Sequence, residues 1–308
     1  VKVLLQTYFG DIRDCYEQVA GLDIDAVGLD FVEGKQSLSL VKEYGFPKDK
    51  LLLAGVVNGK NIWRNHYSRT LALLADLKKT GARIGIGTSC SLLHVPYTVA
   101  QETKLPEYAL KHFSFAEEKL QELRDLSFLF SLENAEPEKI YQVNDALFQS
   151  DRIGKNAAVQ AEVFALKPDD FTRFPSFEER EKLQKTRFRL PLFPTTTIGS
   201  FPQTAEVRSN RAAFRKNLIC GEQYRQFNFD RIKECISLQE KIGLDVLVHG
   251  EFERNDMVEY FGEHLQGFLF TEKAWVQSYG TRCVKPPIVW TFPGCAPLPW
   301  STPSMPKA

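Results

Sequence analysis

Four apolar runs, each ending in small or polar residues and each followed by an amphipathic stretch, constrain this chain more than any other feature. They are Val3–Tyr8, Ala26–Phe31, Leu51–Val57 and Ile84–Thr88, with exits Phe9-Gly-Asp, Val32-Glu-Gly-Lys, Asn58-Gly-Lys-Asn and Ser89-Cys-Ser. A strand covered on both faces tolerates such continuous apolar runs. Between and after them, Asp11–Ala20, Ile62–Thr80 and Pro106–Asp125 are predicted helices, the last with Leu110, Phe113 and Leu120 at helical spacing. The alternation is the rhythm of βα units. Four consecutive units make about half of an eight-fold βα barrel. A doubly wound open sheet gives the same rhythm, and no G-x-G-x-x-G stretch favours its dinucleotide-binding version.

From about Leu132 to Phe188 the strand rhythm stops and helix formers dominate. Ser176-Phe-Glu-Glu179 has the spacing of a capping box, which predicts a helix starting there and running through Lys185. Pro191 and Pro194 end it. Further strands are predicted at Thr195–Ile198, Asp245–Val248 and Arg282–Val284. Two or three units cannot close a barrel. The expected division is a first βα domain over 1–131, a helical connector over 132–190, and a second domain over 191–290. Residues 291–308, rich in Pro and Ser without helical or strand period, are expected to be an unstructured tail.

Composition narrows the function classes. The 308 residues carry 39 basic and 39 acidic side chains, so no field of one sign recommends nucleic acid or an anionic membrane as partner. No apolar run approaches the roughly 20 residues that cross a bilayer, and the N-terminus lacks a secretory pattern, so a cytoplasmic protein is expected. The six cysteines lie far apart without a C-x-x-C pair, which argues for reduced thiols. The five histidines include no His-x-Cys and no His-x-x-x-His, so spacing proposes no metal site.

Chemistry gathers at Gly243–Met257. An apolar run, Leu244–Val248, meets His249, Glu251, Glu253, Arg254, Asn255 and Asp256 within eight residues. An active-site rim at a barrel strand's end is built this way, and so is a solvated surface loop. Thr195–Thr204 is a second candidate: Gly199 permits close backbone approach, and the Ser200 hydroxyl and N–H can hold a carboxylate or phosphate oxygen. A tight turn with a capping serine is the plain alternative. Glu251 can take an ammonium group, so together these residues suggest a grip on both charged ends of an α-amino acid. His249 reads as a core residue rather than an acid or base. Arg282 sets a cation at another strand end, and Cys283 reads as a small buried residue before a nucleophile.

Thr195-Thr-Thr-Ile-Gly-Ser-Phe-Pro-Gln-Thr204, Gly243–His264 and Trp275-Val-Gln-Ser-Tyr-Gly-Thr-Arg-Cys-Val-Lys-Pro-Pro287 are long strings that closely resemble cobalamin-independent methionine synthases. Asn58–Arg64 and Ser89–His94 resemble the same family's N-terminal barrel. The resemblance covers Val1 to about Val289 and implies two (β/α)8 TIM barrels joined by a helical connector. It also implies methyl transfer from 5-methyltetrahydropteroyl-oligoglutamate to homocysteine, with a zinc ion binding the homocysteine thiolate, because a free thiol is mostly protonated near neutral pH. Ile198, Gly199, Ser200 and Glu251 fall where the family holds homocysteine, and Arg282 and Cys283 fall in its folate segment. The family's zinc ligands and proton-donating histidine have no counterpart here, so no residue of this chain is assigned a catalytic or metal-binding role.

The opening at Val1 directly into a strand is expected of a chain that begins inside a domain. A neighbouring reading frame of a DNA encoding Thr291–Ala308 resembles the family's continuation, so a frameshift near Trp290 is expected. On this reading the chain is a monomeric internal fragment of a methionine synthase, without turnover of its own. The competing readings are a non-catalytic amino-acid-binding or scaffold remnant, and an unrelated barrel enzyme using Glu251 and Glu253 as an acid/base pair.

Overall fold

The computed structural model describes residues 1–132, 139–149, 156–278 and 280–290. All four N-terminal runs are strands: β1 (Leu4–Gln6), β2 (Ala26–Asp30), β3 (Leu51–Val57) and β4 (Arg83–Thr88). They pair in parallel in the order β1-β2-β3-β4. Val27 lies opposite Leu52 and Leu29 opposite Ala54, with Ile84 and Ile86 next in register. Because side chains alternate across a strand, these residues share one face. With Val41, Leu74, Leu77 and Leu126 from the helices they form the main core. Every position of β2 is buried, as a continuous apolar run requires.

The helices of this part are α1 (Tyr16–Gly21), α2 (Ser37–Tyr44), α3 (Tyr67–Lys78), α4 (Glu107–Leu110), α5 (Ala116–Ser131) and α6 (Lys139–Gln149). The first falls short of the expected Asp11–Ala20. Asp11 instead accepts from the Arg13 guanidinium and the Gln36 N–H, side-chain bonds that compete with helix formation. One further cause corrects two other expectations. Trp63 and Phe113 form an isolated antiparallel bridge, flanked by Arg64 N–H to His112 O at 3.0 Å and Ser114 N–H to Ile62 O at 2.7 Å. That pairing keeps 62–66 out of α3 and splits the expected Pro106–Asp125 helix into α4 and α5. The extended stretch buries Phe113 and Phe115 completely. The Glu118 carboxylate then accepts the Phe115 and Val99 N–H groups and starts α5.

The chain forms two compact units. The first joins Val1–Lys155 to Leu269–Trp290, and the second contains Asn156–Phe268. Short strands β5 (Phe268–Leu269), β6 (Val276–Gln277), β7 (Cys283–Val284) and β8 (Ile288–Val289) pair as β5-β8 and β6-β7. The β6-β7 pair is antiparallel, so the strand expected at Arg282–Val284 is an arm of a hairpin and not the strand of a βα unit.

Helices dominate the second unit: α7 (Ala157–Ala165), α8 (Phe177–Phe188), α9 (Ala205–Arg215), α10 (Gly221–Ile242) and α11 (Met257–Glu263). The Ser176–Glu179 capping box starts α8 as predicted, with reciprocal bonds of 3.4 and 3.1 Å. The strands expected at Thr195–Ile198 and Asp245–Val248 run side by side without becoming a regular ladder. Asp245 and Val246 N–H donate to Thr195 O, Phe201 N–H donates to Gly250 O, and Ser200 and Gly250 form one parallel bridge. The ladder fails at Val248 because the fully buried Gln239 side chain takes both its N–H (2.9 Å) and its C=O (2.7 Å). Among the described residues no helix is long and apolar enough to cross a membrane. The expected tail and its frameshift lie outside the described residues.

Candidate functional site

In the second unit, the turn after Thr195–Ile198 and the turn after Leu244–His249 meet. The Ser200–Gly250 bridge brings Gly199 and Ser200 beside Glu251. Gly199 has φ +120°, and a Cβ placed there would stand 3.0 Å from Glu251 Oε1. Gly250, at φ +89°, abuts the Phe252 ring and Cys235 Sγ, where an added Cβ would lie 2.6 and 3.0 Å away. Glu251 itself is left-handed at φ +59°. Glu251, a non-glycine residue held left-handed beside two positions that only glycine fits, is a strained position of the kind that clusters at ligand sites.

The turn is held by its neighbours. Arg254 lies between two carboxylates, 2.8 Å from Glu251 Oε1 and 2.6 Å from Glu253 Oε1, and its guanidinium lies 6.0 Å from the Tyr260 ring centroid. Burial works against the Arg254 charge, but the bonds to Glu251 and Glu253 outweigh it and hold its pKa above the usual value. Gln203 donates to Glu251 O, Arg211 donates to Gln203 Oε1 and Phe252 O, and Tyr224 donates to Glu253 O. Thr195 N–H and hydroxyl both donate to Asp245 Oδ2 at 2.7 Å, and these bonds hold the Asp245 carboxyl below its usual range.

Of the residues singled out by sequence, Gly199, Ser200 and Glu251 come together. Ile198 adjoins them in the chain and is 96% exposed. His249 is not in a core: it is half exposed, with Nδ1 accepting the Glu251 N–H at 3.2 Å and lying 3.7 Å from Glu253 Oε2. Arg282 and Cys283 belong to the first unit, exposed on the β6-β7 hairpin, and Cys283 is a free thiol rather than the buried residue expected. Gln239, Gln203 and Arg211 carry no sequence signal of their roles, since polar residues on a helix or in a turn ordinarily face water.

The hairpin's own unit contains a cleft of roughly 300 Å³ lined by Lys60, Trp63, His94, Phe115, Thr271 and Ile288, among others. Lys60 is already paired with Glu33 at 2.6 Å. Zinc, which the resemblance implies, has no matching ligand set: among the described residues no group of three or more His, Cys, Asp or Glu side chains is placed to hold a metal ion. The residues present do not fit it, and no step through it is derived.

Comparison with known proteins identifies the family of the chain. The family model for the catalytic domain of cobalamin-independent synthase matches residues 193–293, and that for the N-terminal domain matches residues 1–82. A 5-methyltetrahydropteroyltriglutamate–homocysteine methyltransferase of Campylobacter jejuni (strain RM1221) is 58% identical over 290 residues, covering 94% of this chain and 38% of the relative. The methyltransferase of the same name from Lactococcus lactis subsp. cremoris (strain SK11) is 56% identical over 304 residues, covering 98% of this chain and 40% of the relative. The chain belongs to the cobalamin-independent methionine synthase family, whose named members here are methyltransferases. It spans about two fifths of the length of these relatives.

Proposed function

We propose that this chain carries the amino-acid grip and the folate hairpin of an enzyme that transfers a methyl group from 5-methyltetrahydropteroyl-oligoglutamate to homocysteine, giving methionine. The observation that carries the reading is the meeting of Gly199 and Ser200 with Glu251 across the Ser200–Gly250 bridge. At that meeting point the Ser200 N–H and hydroxyl are donors for a carboxylate, and the Glu251 carboxylate is a counter-charge for an ammonium group. Those are the two ends of homocysteine, and Ile198 lies beside them for its side chain. Arg254 shares Glu251 Oε1 and holds the carboxylate in place. Arg282, always cationic, suits the acidic glutamate tail of the folate, with Cys283 beside it.

In this reading the parallel sheet β1–β4 is the later part of an N-terminal (β/α)8 barrel within 1–131. Residues 132–190 are the connector, and 191–290 open the catalytic barrel. Compactness follows packing rather than this order, since Leu269–Trp290 joins the first unit. The chain is read as a cytoplasmic monomer. By itself it is read as inactive, because its described residues offer no metal ligand set.

Calorimetry with homocysteine tests the grip. Binding is expected, weakened at least tenfold by Ser200→Ala and by Glu251→Gln. No binding, or affinity untouched by both changes, sinks the assignment. Supplying zinc and both substrates is expected to yield no methionine, and turnover would overturn the inactivity.

A further inference from the structure

The segment that carries Arg282 and Cys283 is fastened to the first unit by a reciprocal pair of carboxylates. Glu102 is 3% exposed, far from its usual place in solvent, and follows the single helical turn Val99–Gln101. Its Oε2 accepts the Glu272 N–H at 2.6 Å and its Oε1 accepts the Lys273 N–H at 2.8 Å. Glu272 answers in the opposite direction: its carboxylate takes the Thr103 hydroxyl at 2.7 Å and pairs with Lys104 Nζ at 2.8 Å. Charge-assisted bonds to backbone N–H are short and roughly twice as strong as neutral ones.

What the clamp holds is the root of the hairpin. Lys273 O accepts the Trp275 N–H at 2.7 Å, Ala274 is buried, and β6 begins at Val276. Across the hairpin Gln277 faces Cys283, and Ser278 N–H donates to Arg282 O at 2.8 Å. The far end is fixed by apolar packing, with Ile288 and Trp290 buried among Leu105, Ala109, Phe113 and Phe115. Arg282 and Cys283 stand exposed between two anchored ends.

We infer that Glu102 is a positioning residue: its buried carboxylate sets the backbone at Glu272 and Lys273, and through it the hairpin that presents Arg282 and Cys283. The functional arm of this inference rests on the proposed role of those two residues toward the pteroyl-glutamate substrate. Hydrogen exchange on the whole chain tests the structural arm. In Glu102→Ala the amides from Glu272 to Cys283 are expected to exchange at least tenfold faster, while β2 and β3 keep wild-type protection. Glu102→Gln, which retains one acceptor oxygen, is expected to fall between the two. Unchanged hairpin exchange in Glu102→Ala overturns the inference. Should Glu102→Ala also release β2 and β3, the isosteric Glu102→Gln decides, and wild-type hairpin exchange in it overturns the inference. For the functional arm, 5-methyltetrahydropteroyltriglutamate is titrated against the same proteins. A tenfold weaker Kd in Glu102→Ala, partly rescued in Glu102→Gln, is expected, and faster exchange with unchanged Kd overturns the positioning role. A wild-type chain that binds no folate overturns the proposed role of Arg282 and Cys283 and leaves the exchange result to judge the clamp.

Discussion

At the scale of single residues, the informative positions are those where a side chain or its absence leaves no second choice. Gly199 is one: φ +120° and the 3.0 Å approach to Glu251 Oε1 exclude a methyl group without moving the carboxylate. Gly199→Ala is expected to cost about 1–3 kcal/mol in the second unit, by the usual cost of a strained backbone. It is also expected to weaken homocysteine binding, both read from denaturant titrations with and without ligand. Lys119 and Glu122 are another such pair, both buried on α5. Burial pushes the Lys119 ammonium down to about 8 against the pull of the Glu122 charge, and burial likewise pushes the Glu122 carboxyl up against the pull of Lys119. Lys119 Nζ donates to Trp63 O at 3.2 Å and lies in the field of the Glu122 carboxylate, so Lys119→Met removes the carbonyl's charged donor and the carboxylate's counter-charge and is expected to cost about 1–3 kcal/mol. Lys119→Met with Glu122→Gln is expected to recover most of it, read from urea midpoints. The Lys119 sign is definite: its folded pKa of about 8 lies below the ordinary 10.5, so the folded state binds fewer protons between these values. The contribution of Lys119 to stability therefore grows as pH rises from about 8 to 10.5 and is lost as pH falls through 8. The wild-type chain should show this gain and Lys119→Met should not. The turns at Ser200 and Glu251 were legible because Gly199 and Gly250 stop the strand-like runs that precede them. Glu102 was not, because its partners lie 170 residues away in sequence and are backbone atoms.

At the scale of elements, the four parallel strands β1–β4 were legible, and the hairpin strands of the returning segment and the helix boundaries of the first unit were not. Apolar content alone specifies a parallel strand buried on both faces, so β2 and β3 lie where expected. The Pro106–Asp125 stretch carries a helical period, but the pairing of Trp63 with Phe113 draws its middle into extended backbone, a tertiary contact that propensity cannot foresee. Gln239 shows the reverse, a side chain standing in for a strand. Its amide satisfies both backbone groups of Val248 and so occupies the place of a ladder partner. Gln239→Ala leaves the half-buried Val248 N–H without its partner and the C=O with only the weak Cys235 thiol, 3.8 Å away. An orphaned group costs about 1–3 kcal/mol when buried, so a loss of about 1–2 kcal/mol is expected. Hydrogen exchange at the Val248 amide should accelerate with it, whereas a change confined to the helix α10 amides would count against the strand-substitute role.

At the scale of the whole chain, the first unit is discontinuous. Sequence suggested that chain order and domain order coincide, because rhythm along the chain carries no record of a segment that returns. Leu269–Trp290 returns, and its last residue is one of its buried anchors. Trp290 is 6% exposed, with ring centroids 6.2 Å from Trp63, 5.8 Å from Tyr108, 5.6 Å from His112 and 5.9 Å from Phe113. Truncating a buried Trp to Ala costs about 3–5 kcal/mol, a large part of a domain's net stability of about 5–15 kcal/mol. Trp290→Ala is therefore expected to destabilise the first unit by about that amount while leaving the unfolding of the second unit unchanged. Monitoring β2 and β3 amides for the first unit and α10 amides for the second in urea separates the two responses. If Trp290→Ala shifts only the second set, or neither, then the returning segment rests on the first unit without stabilising it. The expected result, loss in the first set alone, would mean that the catalytic-domain match at 193–293 ends in residues whose stability is set by the N-terminal fold.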